Sequence, residues 1–358
     1  DTRDWSSDVC SSDLLNITSY GAIILLVTYT QRYLTALAFN IVVEVLLNLW
    51  ISWYVEKKYP FLHEMRKEKS SSHLTGRIMK DLKSLFISRV SEKMLNCTDN
   101  LIISGFIGVA TVGRYANYSM ITQAIINILT ILANTIQPTI GDCFTEKNYR
   151  RNYEILRQIT FVFFCISCVV AVGLFSLITP FVRDIWLGPS YELGWGTAVL
   201  CIVVLMVKIM GLPLNMVMGV TGLFEKEKNV GASSAILNLV VSLALVKPYG
   251  MTGVLLGTLV SYLLQICYRY IIFFRDFLQM REEALRYARD LGEYLVVMAA
   301  EVALMQKVVP IVYGNGGMVL FCICFLLCIL VPLALDAVFF GRGWRLQSIV
   351  RMVRGMRR

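Results

Sequence analysis

The feature that most restricts this chain is the length of its apolar blocks. Between residues 15 and 340 they recur at roughly 20 residues or more each, enough to cross a ~30 Å hydrocarbon core as helices. Lipid offers no water to the backbone, so blocks of this kind must satisfy their own N–H and C=O groups as helices. Spans of a β-barrel would read as ~10-residue segments of alternating polarity, and that pattern does not occur. The chain is 56% hydrophobic and only 16% charged, against about 25% charged in soluble domains. The expectation is an all-α polytopic membrane protein.

About ten spans are expected, at 15–31, 33–54, 83–108, 113–141, 155–179, 193–219, 229–248, 251–274, 289–313 and 316–340. The connections alternate in charge. Alternate loops and the tail hold 25 Lys and Arg, and the opposite loops hold 5. Basic loops mark the cytoplasmic side, so both chain ends are expected there. The tail at 341–358 has six Arg and no acid, a composition suited to anionic lipid headgroups. The net charge of +9 therefore belongs to membrane topology, and no nucleic-acid partner is expected. Residues 1–14, DTRDWSSDVCSSDL, are polar, lack a Met start and adjoin the first apolar block abruptly. They are expected to be an adapter-derived scar, to be set aside from fold reasoning.

No metal site and no cofactor are expected. His63 and His73 are the two histidines, and His63–Glu64 opens an HExxH pattern that fails at Lys67. Cys165 and Cys168 have CxxC spacing but lie within an apolar block, where thiols behave as small apolar groups.

Polar residues at helical spacing within spans carry the functional signal. Arg89, Lys93, Asn96, Asn100 and Ser104 follow one face of the third span, with Glu92 and Asp99 flanking it. Gln123, Asn127, Thr130, Asn134 and Gln137 do the same in the fourth, and Asn40, Glu44 and Asn48 in the second. A charge at mid-membrane costs about 2.5–3.5 kcal/mol even on insertion scales. Such stripes either line a hydrated cavity or hydrogen-bond between helices.

The stretch NCTDNLIISGFIGVATVGRYANYSMI (Asn96 to Ile121) resembles the corresponding segment of the bacterial polysaccharide exporters, the O-antigen, capsule and oligosaccharide flippases of the multidrug/oligosaccharidyl-lipid/polysaccharide exporter superfamily. KKYPFL, IGD at 140–142, IWLGPSYEL, GLFEKEK, ILNLVVSLAL and GMTGVLLGTLVS resemble family segments in the same order. Cys97 departs from the family's usual Ser, and Gly113–Arg114 replaces a more apolar pair. In the family's register the spans are helices five to fourteen. Residues 15–54 are then a two-helix remnant of the N-terminal lobe, 55–82 an interlobe linker, 83–274 the six-helix C-terminal lobe, and 275–340 a connection with two additional helices.

The resemblance implies a transporter of the bacterial cytoplasmic membrane that flips a polyprenyl-diphosphate-linked oligosaccharide to the outer leaflet. In such a transporter the polar stripes are expected to put Arg89, Lys93, Asn96, Asn100, Gln123, Asn127 and Asn134 in the substrate cavity, with Glu44 and Asp99 as candidates for a coupling proton or sodium ion. The alternatives are a cation-coupled drug exporter or lipid II flippase of the same superfamily. A membrane glycosyltransferase or polymerase is disfavoured, because the chain beyond residue 14 carries no DxD, Walker A or GxSxG motif. The expectation is a protein that is not an enzyme.

Overall fold

In lipid the backbone has no partner but itself, and the chain responds with helices. The computed structural model describes residues 21–58, 72–144 and 148–341, apart from 22, 32, 222 and 315, with no strand among them. The expected scar at 1–14, the start of the span expected at 15–31, residues 59–71 of the expected linker with His63, and the tail beyond 341 lie outside the described residues.

The chain forms two compact units, Asp1–Arg77 and Ile78–Arg358. The first contains helix α1, Tyr33–Lys58. Its last turn carries Lys57 and Lys58. Lys57 Nζ stands 5.1 Å from the centre of the Trp53 ring, and Trp50 stacks on Tyr54 at 5.9 Å. Aromatic rings followed by lysines are the composition of a membrane–water interface, and the lysines also oppose the negative end of the helix dipole.

The second unit is built from α2 (Ser72–Phe106), α3 (Val109–Phe144), α4 (Tyr149–Pro180), α5 (Trp195–Val220), α6 (Phe224–Ile272), α7 (Arg281–Tyr313) and α8 (Met318–Phe340). Helix α2 begins in the first unit. It starts well before the span expected from 83, because Arg77, Lys80 and Asp81 are as acceptable on a wet helix as in a loop. The same extension past the apolar block sets the start of α7 at Arg281 rather than 289.

Among the described residues, seven segments are long and apolar enough to cross a membrane. One of them, Asn229–Leu278, has 50 residues, a length of ~75 Å at 1.5 Å per residue and more than two bilayer cores. It is broken at Gly250, where φ is 58° and ψ −137°. That left-handed value favours glycine, and the break separates the two spans expected there. Helix α2 is not among the seven, and it carries Lys80, Asp81, Lys83, Arg89, Glu92, Lys93 and Asp99. The chain is an all-α, multi-pass membrane protein.

Helix α5 lies at the centre, packed against α3, α4 and α6, while α4 also packs against α7 and α8. Its core side chains include Leu205, Ile209, Leu214 and Val217, all nearly inaccessible. The two halves of α6 approach closely. A Cβ at Gly253 would collide with the Leu245 carbonyl, and one at Gly257 with Ser242 Oγ. Ser242 Oγ donates to the Val254 carbonyl at 3.2 Å across this contact. At the end of α4, Pro180 leads into a π-helical turn, Phe181–Trp186, and a loop that returns to α5. The Leu193 N–H donates to the Tyr118 hydroxyl at 3.3 Å and ties that loop to α3.

Candidate functional site

The close approach inside α6 places Asn238, on its first half, against Thr258 on its second. Asn238 Nδ2 donates to Thr258 Oγ1 at 2.9 Å. The Thr258 hydroxyl points at the carboxylate of Asp99 on α2, 2.7 Å from Oδ1 and 2.9 Å from Oδ2. Asp99 is only 4% exposed. An apolar stretch of helix can bury a carboxylate only if donors or a cation answer it. Here Thr258 supplies the hydrogen bond and Lys208 of α5 supplies positive charge within electrostatic range. Lys208 Nζ also lies 4.6 Å from the centre of the Tyr262 ring.

Beside Asp99 is a cavity of about 70 Å³. Asn100 of α2, Tyr115 and Gln123 of α3, Lys208 of α5 and Thr258 of α6 line it with Asp99. The lining residues of α3 recur as 115, 119, 122, 123 and 126, and those of α5 as 201, 204, 205 and 208, each a single helical face. A buried water needs roughly 10–15 Å³ of such space and two to four polar partners. The cavity therefore suits a few waters or an ion, and an oligosaccharide does not fit in it.

The structure places the sequence-predicted residues in several settings. Asp99, Asn100 and Gln123 share the cavity. Gln123 Nε2 donates to Asn127 Oδ1 at 2.7 Å, the two residues being one turn apart on α3. Lys93, Asn127 and Asn134 are exposed and do not line the cavity. Glu44 is an exposed residue of α1 in the other unit, and its backbone carbonyl accepts from Asn48 Nδ2 at 2.8 Å. The side chains of Arg89 and Asn96 lie outside the described residues. Gln137 is packed where a Cβ on Gly219 would strike its amide nitrogen.

Sequence reasoning did not pick out Lys208, Asn238 or Thr258. The signals were present. Lys208 is a single charge in the block TAVLCIVVLMVKIMGLPL, and Ser234, Asn238 and Ser242 step by four along α6. All three of these α6 side chains are fully buried.

Residues 6–144 match the family described as polysaccharide biosynthesis protein. The match supports the exporter family that Asn96–Ile121 resembles, and it covers α1, α2 with Asp99, and α3. It begins inside the stretch 1–14. No curated protein matches the chain. Family and membrane helices together support a polysaccharide-related membrane transporter.

Proposed function

We propose that this protein flips polyprenyl-diphosphate-linked oligosaccharide from the inner to the outer leaflet of the bacterial cytoplasmic membrane by alternating access. A coupling cation, a proton or sodium ion, is taken up at Asp99. The observation that carries this reading is the buried Asp99–Thr258–Asn238 network beside a water-sized cavity, inside a unit whose first helices match the polysaccharide biosynthesis family. An ionisable group in a membrane helix that faces a polar cavity is the usual mark of an ion or proton path.

The partition of work follows from size. The cavity has room for an ion and not for a glycan, so the sugar headgroup travels elsewhere, along polar faces such as Lys93, Asn127 and Asn134, while the prenyl tail stays in lipid. Arg89 and Asn96 belong to the same polar face of α2 by helical spacing. A lysine or arginine there meets the diphosphate as a charge-assisted pair. The protein makes and breaks no covalent bond. Both ends of the chain face the cytoplasm, where the basic tail meets anionic headgroups.

The test is a chromosomal Asp99→Asn substitution in the source cell. Surface glycan should fall about tenfold or more, a change of ~1.4 kcal/mol per decade, with lipid-linked intermediate accumulating inside and membrane abundance unchanged. Arg89→Ala should have the same phenotype through the headgroup path. Normal export by both variants would overturn the reading. The appearance of new glycosidic bonds in a purified assay would point instead to a membrane enzyme.

A further inference from the structure

Cys168 on α4, Glu301 on α7 and Asp336 on α8 form a second polar cluster, which shares no residue with the Asp99 cavity. Helices α4 and α7 run side by side in the same direction. Arg157 Nε donates to Asp290 Oδ2 at 2.7 Å, Thr160 pairs with the Tyr287 hydroxyl at 3.0 Å, and Gln306 Nε2 donates to the Phe175 carbonyl at 2.8 Å. Glu301 falls between these contacts. One ligand atom from each of Cys168, Glu301 and Asp336 lies within 4.8 Å of the others.

The cluster lacks what Asp99 has. Glu301 is 2% exposed and Asp336 3%, and among the described residues the only donors near their four carboxylate oxygens are the weak S–H groups of Cys168 and Cys165. The titratable groups that face them are each other, Cys168 and Cys165, the last from one turn earlier on α4. Among the described residues no Lys, Arg or His is one of these neighbours. The surroundings are apolar, with Phe164, Tyr294 and Phe340 in one buried group and Val172 and Met305 in the next. A buried carboxylate met only by thiols is strongly unfavourable, and such oxygens call for a further partner.

We propose that Cys168, Glu301 and Asp336 bind one divalent cation of the zinc class, which ties the α7–α8 pair to α4. The Cys168 thiolate and one carboxylate balance a charge of +2 when the second carboxyl keeps its proton and binds through its carbonyl oxygen, and the thiol proton is released as the ion enters. Sulfur beside oxygen favours a borderline-soft ion over magnesium or calcium. Three ligands leave the fourth tetrahedral position open, next to Cys165. Bonds of ~2.0–2.3 Å draw the three side chains together by a small rotamer adjustment. The apolar shell then keeps water off the ion.

The full chain, purified in detergent and stripped with a chelator, is titrated with Zn²⁺ and with Co²⁺. The expected result is about one ion per chain, with a thiolate-to-cobalt charge-transfer band that Cys168→Ser abolishes. Glu301→Gln should weaken Zn²⁺ binding about tenfold or more. Zn²⁺ should raise the Tm of the unsubstituted chain and leave that of the Glu301→Gln/Asp336→Asn double variant in place. The double variant removes both buried charges, so it folds without a counter-ion. Equal metal content in the two proteins, or an equal Tm response, would overturn the proposal, as would a carboxyl pair that holds protons and no metal. None of these readouts involves transport, so their outcome is separate from that of the flippase reading.

Discussion

Asp99 and the Glu301–Asp336 pair are both carboxylates buried among the helices of the second unit, yet their surroundings answer them differently. Asp99 has a hydroxyl donor at 2.7 Å, an amide behind that hydroxyl, a lysine in electrostatic range and space for water. Glu301 and Asp336 have two thiols and aromatic rings. The carboxylate of the first site is answered by the protein's own groups, as the proposed uptake and release of a small cation requires. The second is complete only with a ligand. A buried acid in a membrane helix therefore does not have one meaning, and its neighbours decide between a site that cycles and a site that holds.

The largest expected effect tests the charge balance at Asp99. Lys208→Met removes the cation and leaves Asp99 buried with the side-chain donors around it. Losing a cation that answers a buried carboxylate costs up to about 3 kcal/mol, the low end for a buried pair, because Lys208 is partly exposed and acts on Asp99 through its field. Thermal unfolding in detergent should show a marked fall in Tm. Adding Asp99→Asn to Lys208→Met should restore most of it. If the single variant unfolds like the unsubstituted chain, Lys208 does not balance Asp99 and the contrast between the two sites weakens.

The next effect concerns the hairpin that delivers Thr258 and Asn238. Gly257→Ala puts a methyl group against Ser242 Oγ. Overpacking of this kind costs about 1–3 kcal/mol. The two halves of α6 should separate, Thr258 should retreat from Asp99, and export should fall along with Tm. Gly292→Ala is the control, since a Cβ there meets nothing within 4 Å. Equal losses from the two substitutions would show that the effect is not the close approach.

A smaller effect isolates the hydroxyl. Thr258→Val keeps the shape and removes the donor to Asp99, at a cost of about 1–3 kcal/mol. Thr258→Ser should retain the bond and most of the stability. In a double-mutant cycle with Asp99→Ala the two losses should not add, because each removes the same interaction. Additive losses would mean that the 2.7 Å contact contributes nothing of its own.

Much of this was legible in the sequence, for a physical reason. Lipid forces each apolar block to be a helix, so the all-α, multi-pass architecture and the break between 248 and 251 follow from block lengths and a glycine. Asp99, Asn100 and Gln123 emerged from spacing along single helices, because periodicity within one helix is local. Helix ends were less legible, since charged residues such as Arg281 and Glu282 extend a helix into water as readily as they form a loop. Contacts between helices were not legible. Asp99 and Thr258 are separated by 159 residues, and Cys168 from Glu301 by more than a hundred. Reading Cys165 and Cys168 as apolar packing was reasonable for α4 alone, because nothing in that helix shows that two acids arrive from α7 and α8.

The smallest effect probes how the second region is held at its edge. Beyond the end of α4, the Tyr313 hydroxyl of α7 donates to Asp184 Oδ2 at 3.2 Å, while Arg183 already reaches both oxygens of Asp184, at 2.7 and 3.2 Å. Tyr313→Phe leaves Asp184 with its arginine, so no buried group is orphaned and the loss should stay near the low end of a hydrogen bond's ~0.5–1.5 kcal/mol. Asp290→Asn, at the other end of the same helix pair, removes the negative charge that answers the largely buried Arg157 and should cost more. Tm measured for both gives the order. With Zn²⁺ bound the Tyr313→Phe loss should shrink, because an ion across Cys168, Glu301 and Asp336 clamps α7 to α4 nearby. A loss that is the same with and without Zn²⁺ would mean the ends of α7 and its centre are held independently.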